Sequence, residues 1–169
     1  MAGVSYMIAL EDVAVIDAFD RVATAGADLF GLMDAIGRVL VNGARERIAQ
    51  TNVTPAGVAW PKSLRATIAG GPTLRETGLL LNSITASPQA RQVTVGSNLI
   101  YAGVHQVGAT IRPVNAKALS FALANGDSVT AGEVTIPARP YLGISDDEAA
   151  DIGDITAAFF DGLLSGRGE

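Results

Sequence analysis

Hydrophobic positions change period along this chain, and the changes mark its elements. Leu29, Met33, Ile36 and Leu40 step by four, three and four, the single apolar stripe of an amphipathic helix. Before the Ala25-Gly26 break, Ile16, Phe19 and Ala23 recur at helical spacing, with Asp17, Asp20 and Arg21 on the other side. The first fifty residues therefore read as two helices of about 12 to 20 residues joined by a short turn. Arg45, Glu46 and Arg47 mark an exposed end. Residues 51–72 carry three prolines and three glycines. This is a long loop, with room for a short helix near Lys62 to Ile68. Trp60, the only tryptophan, either anchors that loop on the core or meets a partner.

Further on, Thr73 and Glu76 have the spacing of a capping box. Leu74, Leu80, Leu81 and Ile84 give the helix they open an apolar side. The period then falls to two. Gln92 to Ser97 alternates like a half-buried strand, with Ile84 to Ser87 as its partner and Pro88-Gln89-Ala90 as the turn. Ala118 to Leu123 and Ser128 to Ile136 read as a hairpin around Asn125-Gly126. Pro137 ends its second strand, because proline has no N–H to donate. Ser145 and Glu148 form a second capping box, and Asp146 and Asp147 sit where a helix dipole favours anions. Ile152, Ile155, Phe159 and Leu163 form the buried stripe of that last helix.

Helices and strands are segregated, so the expected class is α+β. It has N-terminal helices, a small, mostly antiparallel sheet with a hairpin, and a C-terminal helix packed on the sheet. One domain is expected over 1–169: a helical segment at 1–50, the loop at 51–72 and an α+β core at 73–169.

Composition narrows the function. Apolar residues make up 49% of the chain but aromatics only 5%, so the core is built from small side chains. The chain has no cysteine, which excludes a disulfide scaffold, a thiolate zinc site and a thiol nucleophile. No basic n-region opens the chain, so no signal peptide is expected. No run approaches the roughly 18 apolar residues of a membrane span. A net charge of −5 argues against general affinity for DNA. Charge is unevenly placed: residues 51–143 carry seven bases and three acids, and residues 144–169 carry seven acids and one base. Such segregation is either ordinary solvated faces or complementary surfaces that meet between subunits.

The only histidine, His105, lies in YAGVHQVG at 101–108. A catalyst, a metal ligand and a packing residue are the three readings. The acids nearest to it in sequence are Glu76 and Asp127, and HExxH is impossible with one histidine. Ser83, Ser97 and Ser120 lack a GxSxG elbow. No GxGxxG or GxxxxGK[ST] cradle occurs, so no cofactor is expected. Arg65, Arg75, Arg91, Arg112, Lys117 and Arg139 are scattered and have few aromatics near them, unlike a nucleic-acid reader. Packing is the favoured reading. Tyr101 and His105, four apart, share one face of a short turn or helix. Gly103 and Gly108 let the segment sit close to the sheet. His105 is then expected to need a buried backbone carbonyl or hydroxyl as partner.

Four pieces in order resemble the phage virion morphogenesis family, the Mu-type protein G and related tail-completion or neck proteins. Trp60 and Leu64 fit the first piece, and Thr77, Gly78, Leu80, Ser83 and Ile84 the second. Gly96, Ser97, Asn98, Tyr101, Ala102, His105, Gln106 and Gly108 fit the third. Pro137, Ala138, Arg139, Pro140, Tyr141, Leu142 and Gly143 fit the last. The N-terminal helices carry no motif that matches. The resemblance implies a structural protein, not an enzyme, in the virion at the head–tail junction, assembled in the bacterial cytoplasm. It implies a ring, expected to be six-fold, that contacts head-connector and tail proteins and meets DNA only by passage through its lumen. A cytoplasmic assembly chaperone, and a small hydrolase or metal enzyme using His105, are the alternatives.

Overall fold

The computed structural model describes residues 4–6 and 28–164. Helix α1, Phe30–Glu46, buries Leu32, Met33, Ile36, Leu40, Val41 and Ala44, the stripe its spacing predicts. It does not end at an exposed Arg45-Glu46-Arg47. It runs into a π-helical turn, Arg47–Thr51, in which the consecutive residues Arg47 and Ile48 are both buried. Asn52 stops it in a left-handed conformation, and its side-chain amide donates to the carbonyls of Arg47 and Ile48.

The loop that follows is tied down. The Asn52 Oδ1 accepts from Thr73 N at 2.6 Å. Helix α2, Leu64–Ala69, is capped by Ser63, whose Oγ accepts from Ala66 N. The Thr73–Glu76 capping box does not form. Asn52 and Ser63 take the backbone groups of the buried Thr73, Glu76 is exposed, and helix α3 begins later, at Leu79–Ser83.

A three-stranded antiparallel sheet lies under α1. Its strands are β1 (Val4–Tyr6), β2 (Ile84–Pro88) and β3 (Val93–Ser97), in the order β1-β3-β2. Ile84 pairs with Ser97, and Pro88 with Val93. The strand at Val4–Tyr6 corrects the reading of the first fifty residues as helix: the free edge of β3 takes up this short β-prone segment. The helix expected around Ile16 to Ala23 lies outside the described residues.

After helix α4, Ala102–Val107, come β4 (Ala109–Ile111), β5 (Leu119–Ala122), β6 (Ser128–Ala131) and β7 (Val134–Ile136). The hairpin forms around Asn125-Gly126, but only β5 and β6 belong to it. Val134–Ile136 pairs with β4 instead. Helix α5, Asp146–Leu164, opens with the expected capping box: Ser145 N donates to Glu148 Oε2 at 2.7 Å, and Glu148 N to Ser145 Oγ at 3.3 Å. Its main neighbour is α1. Ile152 is buried and Ile155 and Phe159 are half-buried, but Leu163 is 39% exposed, beyond the reach of the core. The fold is α+β, with small antiparallel sheets. Among the described residues, no helix is long and apolar enough to cross a membrane.

Candidate functional site

Residues 137–145 carry the last of the four motif pieces and have no regular structure. Their backbone groups therefore need partners from elsewhere, and side chains supply them. Gln106 Oε1 accepts from both Tyr141 N and Leu142 N, at 3.1 and 3.0 Å, while its Nε2 donates to Leu142 O. Trp60 Nε1 donates to Pro140 O at 3.2 Å. Arg139 N donates to His105 O, and Arg139 Nε to Pro61 O. Tyr141, 1% exposed, donates its hydroxyl to Ala102 O. Pro137 and Pro140 have no N–H to satisfy.

Below this segment lies a buried ion pair. Arg47 Nη1 meets Glu148 Oε1 at 2.9 Å, and both side chains are under 10% exposed. The rest of the guanidinium donates to Tyr141 O and Gly143 O. The other Glu148 oxygen is the one in the capping box. Each guanidinium nitrogen and each carboxylate oxygen of the pair thus has a partner, the condition under which burying charge is tolerable. Gly43 makes room for it: a Cβ there would lie 1.4 Å from Glu148 Oε1.

His105 is half-buried, its ring edge-on to Tyr101 with centroids 6.0 Å apart. Burial holds its pKa below the ordinary 6.5, and the positive charge of Arg139 adds to the effect. The expected side-chain partner is not there: Nδ1 is buried and has no hydrogen-bond partner. The carbonyl of His105, rather than its ring, makes the link to Arg139. Among the described residues, no group of three histidine or acidic side chains is placed to hold a metal ion.

The motif residues fall into two groups. Trp60, His105, Gln106, Gly108, Arg139, Pro140, Leu142 and Gly143 converge on the pinned segment. Gly108, at φ 78°, passes so close that a Cβ would lie 2.8 Å from Ala138 N. Ser83 belongs to the second group, at the sheet: its Oγ shares a hydrogen bond with Ser97 Oγ at 2.7 Å. Gly96 pairs with Thr85 and Ser5, while Thr77 and Asn98 are exposed and Gly78 opens α3 from a left-handed backbone. Pro137 follows the end of β7. Arg47 and Gly43 are the residues the motif reading missed. Arg47 had a signal, since it continues the helical stripe of Leu40 and Ala44 by one step of three.

Beside the ion pair, an open groove of about 440 Å³ separates the end of α1, the 53–57 turn and the start of α5. Glu46, Asp147 and Asp151 on its walls are exposed and make this face acidic.

The chain is 28% identical over 150 residues to the Mu-like prophage FluMu G protein 2 of Haemophilus influenzae, covering 89% of this chain and 91% of that protein. No solved structure matches the chain. Residues 10–161 match the phage virion morphogenesis family, and the chain therefore belongs to that family.

Proposed function

We propose that this virion morphogenesis protein is a structural component of the head–tail junction, of the neck, tail-completion or tail-terminator type. It acts as a six-fold ring that joins head to tail and lets DNA pass through its lumen. The observation that carries this reading is where the polar chemistry lies. Arg47, Glu148, Gln106, Trp60 and Arg139 hold backbone in place, and His105 has no carboxylate or nucleophile hydrogen-bonded to it. What remains for contact is surface: exposed apolar side chains such as Ile100 and Val107, and an acidic face at the start of α5. An assembly role needs that inventory, whereas catalysis needs a converging constellation.

The test is a phage lacking the gene. The expected result is filled heads and tails that fail to join or that leak DNA. Normal infectious particles would refute the proposal. Mass spectrometry of purified wild-type virions should find the chain. Its absence there, with assembly still dependent on it, would make it an assembly chaperone.

A further inference from the structure

The dipeptide Asn-Gly occurs twice in this chain, at 42–43 and at 125–126, and the fold treats the two copies differently. Their intrinsic chemistry is the same. With no side chain to shield it, the glycine nitrogen can close on the amide carbon of the preceding asparagine, an attack favoured by being intramolecular. At 125–126 the fold leaves that attack open. Leu123 N donates to Asp127 O at 2.7 Å and Gly126 N to Leu123 O at 2.9 Å, a three-residue loop between β5 and β6. Every residue from Ala124 to Ser128 is exposed. Nothing lies within 4 Å of the point a Gly126 Cβ would occupy. The Asn125 amide is also oriented. Its Oδ1 accepts from Asp127 N at 3.2 Å, which polarises the amide carbon, and its Nδ2 donates to Asp127 Oδ2 at 2.7 Å. The bond from Gly126 N to Leu123 O must open for the nitrogen to turn toward that carbon, and exposed hairpin tips open at little cost. Asn42-Gly43 instead sits inside α1, where the helical pattern holds Gly43 N. The Glu148 carboxylate fills the place of a Gly43 Cβ and is bound to Arg47 in the buried pair. Turning the 42–43 peptide therefore unwinds α1 against that pair, at a cost near that of unfolding the chain.

We propose that Asn125 is a self-modification site of the folded chain, converting to aspartate and isoaspartate, while Asn42 is protected until the chain unfolds. Gly126 N gives its proton to hydroxide and attacks Asn125 Cγ. A bond forms between that nitrogen and Cγ, the Cγ–Nδ2 bond breaks, and the amide nitrogen leaves as ammonia with a proton from water. Water then opens the five-membered imide at either of its carbonyls. Addition at Cγ restores the original backbone with aspartate at 125. Addition at the backbone carbonyl leaves the chain running through Cγ, which is isoaspartate. In sum, asparagine and water give the acid and ammonia, with no oxidant and no cofactor. Both products put a carboxylate where the amide was. The hydrogen bond to Asp127 Oδ2 is then replaced by repulsion between two carboxylates, and isoaspartate also lengthens the loop by one backbone atom. Conversion thus adds a negative charge and loosens the tip of the β5–β6 hairpin, marking the chains that have been folded longest.

The test incubates the full purified chain at mildly alkaline pH, native and in guanidinium chloride, and follows both sites by peptide mapping with mass spectrometry. In the native chain Asn125 should convert about tenfold or more faster than Asn42. Isoaspartate should be among the products, and the rate should rise with pH. In denaturant the two sites should convert at similar rates, because the protection of Asn42 is lost with the helix. An Asn125 that stays intact in the native chain but converts in denaturant overturns the proposal, since the tip then shields it. Equal conversion of Asn42 and Asn125 in the native chain overturns the selection by the fold. Aspartate formed without isoaspartate rules out the imide, and no conversion even in denaturant removes the chemistry altogether.

Discussion

His105 and Gly43 show how single residues set the limits of this molecule. His105 is the only histidine, and so the side chain whose ordinary pKa lies between pH 5 and 8. Its folded pKa lies below 6.5, because burial and the neighbouring Arg139 oppose the second proton. As pH falls through 6.5, the unfolded chain therefore takes up that proton before the folded chain does. The stability contribution is complete above 6.5 and is lost below it. Thermal melts between pH 7.5 and 5.5 should show Tm falling with pH, and His105→Asn should flatten that slope. A slope unchanged in the variant would remove His105 as its source. Gly43 has a steric role. Its Cβ position is occupied by the Glu148 carboxylate, so Gly43→Ala must displace one partner of a buried ion pair. The expected loss is about 3–5 kcal/mol, measured by urea denaturation.

At the scale of elements, the pinned segment 137–145 behaves as a strand whose ladder is made of side chains. Gln106 alone satisfies two N–H groups and one carbonyl of it. Gln106→Met keeps the volume and orphans all three. At about 1–3 kcal/mol for each buried polar group left unpaired, the loss should exceed that of Trp60→Phe, which orphans only Pro140 O. Comparing the two unfolding curves checks the order. This element also shows where sequence reasoning reaches and where it stops. The stripe of α1, the β2–β3 pair, the Asn125-Gly126 turn and the Ser145–Glu148 box are local patterns, and all were legible. The capping box at Thr73 was legible but misleading, because Asn52, 21 residues away, claims its N–H. The partner of β7 was equally out of reach. Alternation places Val134 to Ile136 in a strand but cannot choose between β6 and β4. The motif pointed to Gln106 and Arg139, while nothing in their spacing revealed that they hold the same segment.

For the whole molecule, acids and bases are segregated along the sequence. The acidic start of α5, with Asp146, Asp147, Asp151 and Asp154 exposed, lies at one end of the sequence, and the excess of bases lies in its middle. If these surfaces meet between subunits, Asp147→Lys with Asp151→Lys should weaken assembly on a sizing column. The deficit should be largest at low salt and should shrink as ionic strength rises, because exposed charges are screened beyond about 10 Å at 0.1 M. An elution profile unchanged by the double reversal would sink the charge bridge.

The Arg47–Glu148 bond also has a direction in time. Its partners are 101 residues apart, so a ribosome adding about 5–20 residues per second makes Glu148 some 5–20 seconds after Arg47. Throughout that interval the inner end of α1 carries a guanidinium that has lost its reason to leave water. Until the last helix emerges, final packing of that end would bury a guanidinium without its carboxylate. A chain broken off before Glu148 would keep an uncompensated charge where the core should close.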